Sequence, residues 1–218
     1  MITQDDLAGF LLMHAGFRAE FGRLAEACRD PRDGEHRELL EEQLTLVLEM
    51  LHAHHTHEDT TLWPKLAGRD PEAGAALAEL EAEHAVLDPL VAAAADRAVP
   101  IPERVPVLRR LHELVGEHLD HEERTAVPLM LRHLTADDIE ADKRQAMADF
   151  GRRRVPVIFG WLASSADAGL LATAFADLPG PARLMFRLFW WPAYRRRFTR
   201  LYGTAAALPA VLPAVPEA

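Results

Sequence analysis

Apolar side chains recur at steps of three and four residues along most of the chain, which is the spacing of one face of an α-helix. The Val-, Ile- and Thr-rich alternation that is typical of strands is absent, and Ala, Leu, Glu and Arg dominate. Turn residues divide the pattern into four long predicted helices, which cover residues 3–28, 35–66, 72–98 and 103–133. Long amphipathic helices with short connections predict an all-α fold, an up-down-up-down four-helix bundle.

The regular pattern ends after these four helices. Thr135, followed three residues later by Asp138, predicts the capped start of a fifth helix. Shorter helical segments are predicted over residues 157–177 and 181–202. We therefore expect three parts: a bundle over residues 1–134, a helical C-terminal extension over residues 135–208, and a disordered, proline-containing tail over residues 209–218.

The charge changes sign along the chain. The 218 residues have a formal net charge of −10. Residues 1–150 carry 15 basic and 31 acidic side chains, whereas residues 151–218 carry 9 arginines and 3 acids. An acidic main body argues against nucleic acid as a partner, because phosphate binding requires a basic surface. The single cysteine, Cys28, excludes an intramolecular disulfide and a thiolate zinc site.

The first residues bear on the compartment. They lack the basic stretch followed by an apolar run that marks a secretory signal. Charged residues and prolines interrupt the longest apolar segments, so we expect no membrane-spanning helix. The sequence therefore predicts a soluble, cytoplasmic protein.

Polar side chains interrupt the apolar stripes of the four long helices at one level. The first and third helices each carry a lone histidine there, and the second and fourth each carry a histidine followed four residues later by a glutamate. These six candidate metal ligands are His14, His54, Glu58, His84, His118 and Glu122. Positions four apart lie one turn apart on nearly the same helix face, so each histidine–glutamate pair can direct an imidazole and a carboxylate to one point.

Burial of so much charge favours a metal centre as the explanation of this pattern. An uncompensated buried carboxylate costs several kcal/mol, and six buried polar groups can cost as much as a domain's whole stability of roughly 5–15 kcal/mol. Histidine–glutamate pairing alone is the alternative, and it would make the chain a metal-free helical interaction protein. Mixed imidazole and carboxylate ligands suit iron, manganese, zinc or copper, and six are too many for one tetrahedral zinc ion. Two carboxylates flanked by imidazoles suit a dinuclear site.

At these positions the sequence resembles the hemerythrin-like family, whose domain is the HHE cation-binding domain. The six residues match its motif in order, and Leu62-Trp63-Pro64 resembles its Leu-Phe-Pro signature. The resemblance covers about residues 3–133. It implies a non-haem di-iron centre of two iron ions, bridged by carboxylates and by an oxo or hydroxo group.

The resemblance also assigns a role to each of the six residues. Glu58 and Glu122 would bridge the two iron ions. His14 and His54 would bind one iron ion, and His84 and His118 would bind the other. Asp59 and Glu123 directly follow the bridging glutamates, and they are candidates for the hydrogen-bond partners that ligating histidines require.

The sequence departs from the oxygen-carrying members of that family in one place. Those proteins have a second histidine one turn after the histidine of the third helix, and this chain has Asp88 there. If Asp88 does not bind, each iron ion keeps two histidines and open coordination positions, which favours redox turnover over oxygen transport. His55 is a possible extra ligand, but on helical geometry it points about 100° away from His54, so we leave it out of the predicted set.

The expected function is therefore the binding or turnover of a small ligand, namely dioxygen, peroxide or nitric oxide. Peroxide-directed redox activity of a catalase or peroxidase type, or nitric oxide handling, is the favoured form. An iron- or oxygen-responsive sensor or binding module, whose metal state controls the C-terminal extension, is an alternative. A di-iron oxygenase that acts on an organic substrate is another. Zinc or manganese in place of iron stays open, because affinity order favours the later metals.

The C-terminal extension combines aromatic residues with arginines between residues 186 and 198. Because this part is basic and the bundle is acidic, we expect it to dock on the bundle or to form a homodimer interface, where Trp, Tyr and Arg are favoured. Binding to an anionic membrane surface is the less favoured alternative.

Overall fold

The computed structural model describes residues 1–151, 153–176, 178–203 and 208. All regular elements within these ranges are helical, which confirms the predicted all-α class. The tail predicted to be disordered, residues 209–218, lies outside the described residues.

The four long predicted helices form with bounds close to those predicted. They are α1 (Ala8–Ala27), α2 with α3 (Gly34–His57 and Trp63–Arg69), α4 (Gly74–Ala95) and α5 (Val105–His133). A π-helical turn, Glu58–Leu62, joins α2 to α3, so the second predicted helix is one continuous helical run. Short 3-10 turns precede α1, α4 and α5.

Five shorter helices follow in the described part of the chain. They are α6 (Ala136–Phe150), α7 (Val155–Ala163), α8 (Ala168–Ala176), α9 (Gly180–Met185) and α10 (Trp191–Tyr202). A second π-helical turn, Phe186–Trp190, joins α9 to α10. Within the predicted segment 157–177 the helix breaks after Ala163, where the Ser164 hydroxyl donates a 2.7 Å hydrogen bond to the Trp161 carbonyl and competes with helix continuation.

Side-chain caps explain where two helices begin. The Asp33 carboxylate accepts a 2.7 Å hydrogen bond from the backbone N–H of His36 at the start of α2. The Asp138 carboxylate accepts from the Thr135 N–H at 2.9 Å, and the Thr135 hydroxyl oxygen accepts from the Asp138 N–H at 3.3 Å. This reciprocal cap satisfies N–H groups that have no partner inside a helix, and it confirms the predicted start of a fifth helix.

Both π-helical turns end two residues before a proline. The first is followed by Trp63 and Pro64, and the second by Trp191 and Pro192. A proline inside a helix lacks the N–H that bonds to the preceding turn, and its ring crowds that turn. A widened turn accommodates both effects. The first widened turn begins at Glu58, one of the predicted metal ligands.

The chain divides into two compact units. Unit 1 comprises residues 1–2 and 20–138, and unit 2 comprises residues 3–19 and 139–218. The predicted domain boundary after residue 134 stays a prediction.

The core of unit 1 is formed by the predicted apolar stripes. Within this unit α4 packs along α5, α2 contacts α4, and α3 contacts both α4 and α5. Fully buried leucines on these helices include Leu40, Leu51, Leu80, Leu108 and Leu111. Arg104 is also buried, because it forms an ion pair with Glu41 and donates a 2.7 Å hydrogen bond to the carbonyl of Ala94. These contacts fix the helices that carry the candidate ligands.

The core of unit 2 is largely aromatic. Trp161 on α7 is fully buried, and its ring centroid lies 5.5 Å from that of Phe17. Tyr194 on α10 lies directly over Gly160, where an added Cβ would overlap the tyrosine ring. The close approach of α7 and α10 therefore requires glycine at this position.

Candidate metal centre

The structure places five of the six predicted ligands in unit 1. Glu58, His84, His118 and Glu122 are buried, and the side chain of His54 is 12% exposed. The sixth, His14, lies in the part of α1 that belongs to unit 2. It is fully buried, and its ring centroid lies 4.2 Å from that of Phe10. The role of His14 as a ligand stays a prediction.

Three buried imidazoles form the first group of potential ligands. His55, His84 and His118 each offer a nitrogen atom, and these three atoms lie within 4.8 Å of one another. The Nε2 atoms of His84 and His118 are 3.1 Å apart. The His55 ring stacks on the His84 ring with a centroid distance of 4.0 Å. These side chains converge from α2, α4 and α5.

The predicted ligand set does not include His55, but the structure places His55 inside the first group. Its side chain is buried, with 5% exposure, although it follows His54 directly on α2. Two neighbouring residues of a helix do point about 100° apart. The prediction treated this divergence as a reason to set His55 aside, whereas in the structure the divergence brings His54 and His55 to separate ligand groups.

The second group combines an imidazole with two carboxylates. His54, Glu58 and Glu122 offer ligand atoms within 4.8 Å of one another. The Nε2 atom of His54 lies 3.1 Å from Oε1 of Glu58. The other oxygen atom of Glu58 lies 3.7 Å from Nε2 of His84, and Oε2 of Glu122 lies 3.6 Å from Nε2 of His118. Both carboxylates therefore lie next to both groups.

The electrostatics of these groups are unfavourable without a cation. Burial raises the pKa of the Glu58 carboxyl well above its usual value, and the neighbouring charge of Glu122 raises it further. Burial lowers the pKa of His118. No hydrogen bond of regular geometry from the described residues reaches either oxygen atom of Glu58. A bound metal ion counteracts the effect on Glu58, because it stabilises an ionised carboxylate. The lowered pKa of His118 already suits a metal ion, because a ligating imidazole is neutral.

The two facing nitrogen atoms of His84 and His118 also fit a metal ion. The Nδ1 atom of His84 lies 2.8 Å from the Asp59 carboxylate, and Nδ1 of His118 lies 2.8 Å from the Glu83 carboxylate. Because an ionised carboxylate only accepts hydrogen bonds, each Nδ1 carries the proton and each Nε2 presents a lone pair. Two nitrogen ligands at right angles, each about 2.1 Å from one ion, are about 3.0 Å apart. The observed 3.1 Å agrees with that spacing.

Comparison with known protein families supports the interpretation of these residues as a cation-binding site. The family profile described as the hemerythrin HHE cation-binding domain matches residues 6–130, more than half of the 218 residues. The chain belongs to this family. The match contains all six predicted ligands and confirms the resemblance seen in the sequence. No curated protein and no solved structure matches the chain.

Two acidic side chains that belong to neither ligand group accept hydrogen bonds from histidines of the HHE domain. Asp59, one of the two candidate partners from the sequence, accepts from His84 at 2.8 Å. Glu83 accepts from His118 with one oxygen atom and from His121 with the other, at 2.8 and 2.7 Å. Partial burial acts to raise the pKa of Glu83, but the hydrogen bonds from the two histidines outweigh it and lower the pKa. Such contacts fix the ring orientation and tautomer of a ligating histidine.

Sequence reasoning missed Glu83. It lies on α4 directly before His84, and it reaches across to α5, where His118 and His121 are three residues apart on one face. This spacing was the available signal, because two histidines at i and i+3 can share one carboxylate.

Asp88 does not take part in either ligand group. It lies on α4 one turn after His84, but it is exposed. The buried position of that turn is Leu87.

Within the described ranges, no helix has the length and apolar character needed to cross a membrane.

Proposed function

We propose that this HHE domain holds a dinuclear non-haem iron centre that binds a small ligand such as dioxygen, peroxide or nitric oxide. The observation that carries the proposal is the position of Glu58 and Glu122 next to both ligand groups, with His54 near one and His84 and His118 near the other. Carboxylates in that position suit bridging ligands. Mixed nitrogen and oxygen donors of this kind suit iron, although zinc and manganese share the preference.

Each ion has its own set of nitrogen ligands in this proposal. His55, His84 and His118 hold one ion, and His54 with His14 holds the other. The support for His14 is its place in the family motif and its full burial. We further propose that α1, α2 with α3, α4 and α5 form the up-down-up-down bundle that is expected from the sequence. In that arrangement, the four helices surround the two ions.

The proposed ligand sets are unequal, and this inequality indicates where a small ligand binds. One ion receives three imidazoles and the other receives two, because His55 supplies the nitrogen that Asp88 does not. The ion held by two imidazoles keeps more open coordination. When bound, the metal pair supplies Lewis-acid and redox chemistry for a diatomic or peroxide ligand. The carboxylates of Asp59 and Glu83 hold the imidazoles of His84 and His118, which belong to the position with three imidazoles.

Ligand binding to the iron-loaded protein tests this function. Azide, nitric oxide and hydrogen peroxide are added separately, and the absorption spectrum and the rate of peroxide loss are recorded. We expect a saturable spectral change with at least one ligand, and we expect its loss in Glu122→Gln. The matched control is His52→Ala, because His52 is exposed and belongs to neither ligand group. An iron-loaded protein that responds to none of the three ligands contradicts the proposal.

A further inference from the structure

An apolar patch is exposed on the C-terminal helices of unit 2. It consists of four large side chains that are between 43% and 59% exposed, namely Leu184, Met185, Leu188 and Phe189. Their spacing of one, three and four residues places them on one side of the helical run formed by α9 and the following π turn. Among the described residues, the other large apolar side chains with high exposure are far apart in the sequence: Met1, Val86 and Met147. Neighbouring exposed apolar side chains mark a binding surface.

The other side of this helical run is buried within unit 2. Phe186, Trp191 and Tyr194 have 5% exposure or less, and the Phe186 ring centroid lies 4.8 Å from that of Phe175. Turning the apolar patch inward would expose these aromatic side chains to water. The folded unit therefore presents the patch outward.

The surroundings of the apolar patch are positively charged. Residues 178–203 contain six arginines and no acidic residue. Arg187 is exposed within the patch, and Arg195, Arg196 and Arg200 are exposed on α10. Exposed Leu, Met and Phe beside arginines are typical of helices that lie in the interface of a membrane, where apolar side chains enter the headgroup boundary and cations contact lipid phosphates.

We propose that the apolar patch binds the surface of an anionic lipid membrane. The arginines near the apolar patch favour an anionic membrane over a second copy of the chain. A symmetric dimer through the patch would bring Arg187 and its neighbours against the same arginines of the other copy, and like charges across an interface are unfavourable. The acidic part of another copy would attract the arginines, but only three large exposed apolar side chains are described in residues 1–150, which are too few to cover the patch.

Vesicle sedimentation with the full chain tests the proposal. Vesicles of phosphatidylcholine alone are compared with vesicles that contain phosphatidylcholine and phosphatidylglycerol at a ratio of about seven to three. We expect the anionic vesicles to bind at least tenfold more tightly, because each arginine near an anionic surface contributes about fivefold. We expect 0.5 M salt to remove most of this difference, since screening weakens attraction between exposed charges.

Matched variants separate the patch from other surfaces. The double variant Leu188→Glu with Phe189→Glu is expected to weaken binding at least tenfold, and Arg187→Gln about fivefold. Met147→Glu is the control, because Met147 is a single exposed apolar side chain on α6. Circular dichroism and metal content of the variants should match those of the unchanged protein, which separates this proposal from the metal centre.

Three outcomes overturn the proposal. The first is no binding to anionic vesicles at micromolar protein. The second is equal binding to both vesicle types. The third is a dimer in sedimentation velocity that the double variant makes monomeric while vesicles remain unbound, which would assign the apolar patch to a second copy of the chain.

Discussion

The imidazole of His55 stacks on that of His84, with ring centroids 4.0 Å apart and ring planes 10° apart. His118 lies edge-on to both rings, at centroid distances of 5.3 and 4.7 Å. The stack joins the last turn of α2 to the middle of α4 inside unit 1. His55 is therefore the third imidazole of this group. Asp88, which stands where the oxygen-carrying members of the family have a further histidine, is exposed.

Substitution of His55 tests whether it binds metal. We expect His55→Ala to lower the affinity of one of the two metal positions at least tenfold, because a nitrogen ligand is lost. His52→Ala should leave both affinities unchanged. The measurement is a titration of the metal-free protein with Fe(II) against a competing chelator. Equal affinities in the two variants would show that His55 only packs against His84.

The histidine–glutamate motif could be predicted from the sequence, but the place of His55 beside His84 could not. The motif repeats at helical spacing, so the predicted ligands fall on buried stripes in the structure. The roles of His55 and Glu83 depend on how the helices face one another, and a single helix pattern does not contain that information. The same holds for the C-terminal part, where the predicted docking and homodimer stay predictions, as does the cytoplasmic location.

Substitution of Glu83 tests its role in holding His118. We expect Glu83→Ala to lower metal affinity about 10- to 100-fold, because the ring orientation and tautomer of His118 are no longer fixed. Glu83→Gln should recover part of the affinity, since its amide oxygen still accepts a hydrogen bond. The measurement is the rate of metal release to a chelator, with the exposed Glu81→Gln as the control. A merely structural role would lower the melting temperature of the metal-free protein without changing metal release.

Asp138 makes the stability of unit 1 depend on pH. The Asp138 carboxylate accepts hydrogen bonds from Arg69 at 2.6 and 3.2 Å, and the bond from Arg69 is the main reason that the pKa of Asp138 is lowered. A lowered pKa in the folded state means that the stabilisation is present above the unfolded pKa of about 3.9 and is lost as the pH falls below it. Asp138→Asn should therefore destabilise the metal-free protein at pH 7, by about 1–2 kcal/mol after allowance for solvent screening.

Urea unfolding at pH 7 and at pH 3 measures this effect. The difference in free energy of unfolding between the unchanged protein and Asp138→Asn should narrow at pH 3. Asp137→Asn is the control, because Asp137 is exposed on the same turn. An equal difference at both values of pH would show that the charge of Asp138 is not the cause.

Gly160 tests the packing of α7 against α10 in unit 2. Gly160→Ala should destabilise the protein by about 1–3 kcal/mol, because the added methyl group overlaps the Tyr194 ring. Gly9→Ala, at a helical position with open space around the added Cβ, should be neutral or stabilising by up to about 1 kcal/mol. Thermal unfolding of both variants provides the comparison. A neutral Gly160→Ala would mean that α7 and α10 do not approach this closely.

The metal content of the untagged protein from iron-replete cells tests the central claim most directly. Mass spectrometry should find close to two iron ions per chain. The double variant Glu58→Gln with Glu122→Gln should retain less than one ion per chain while it stays helical by circular dichroism. One metal ion per chain, mainly zinc, or no metal would contradict the dinuclear iron centre.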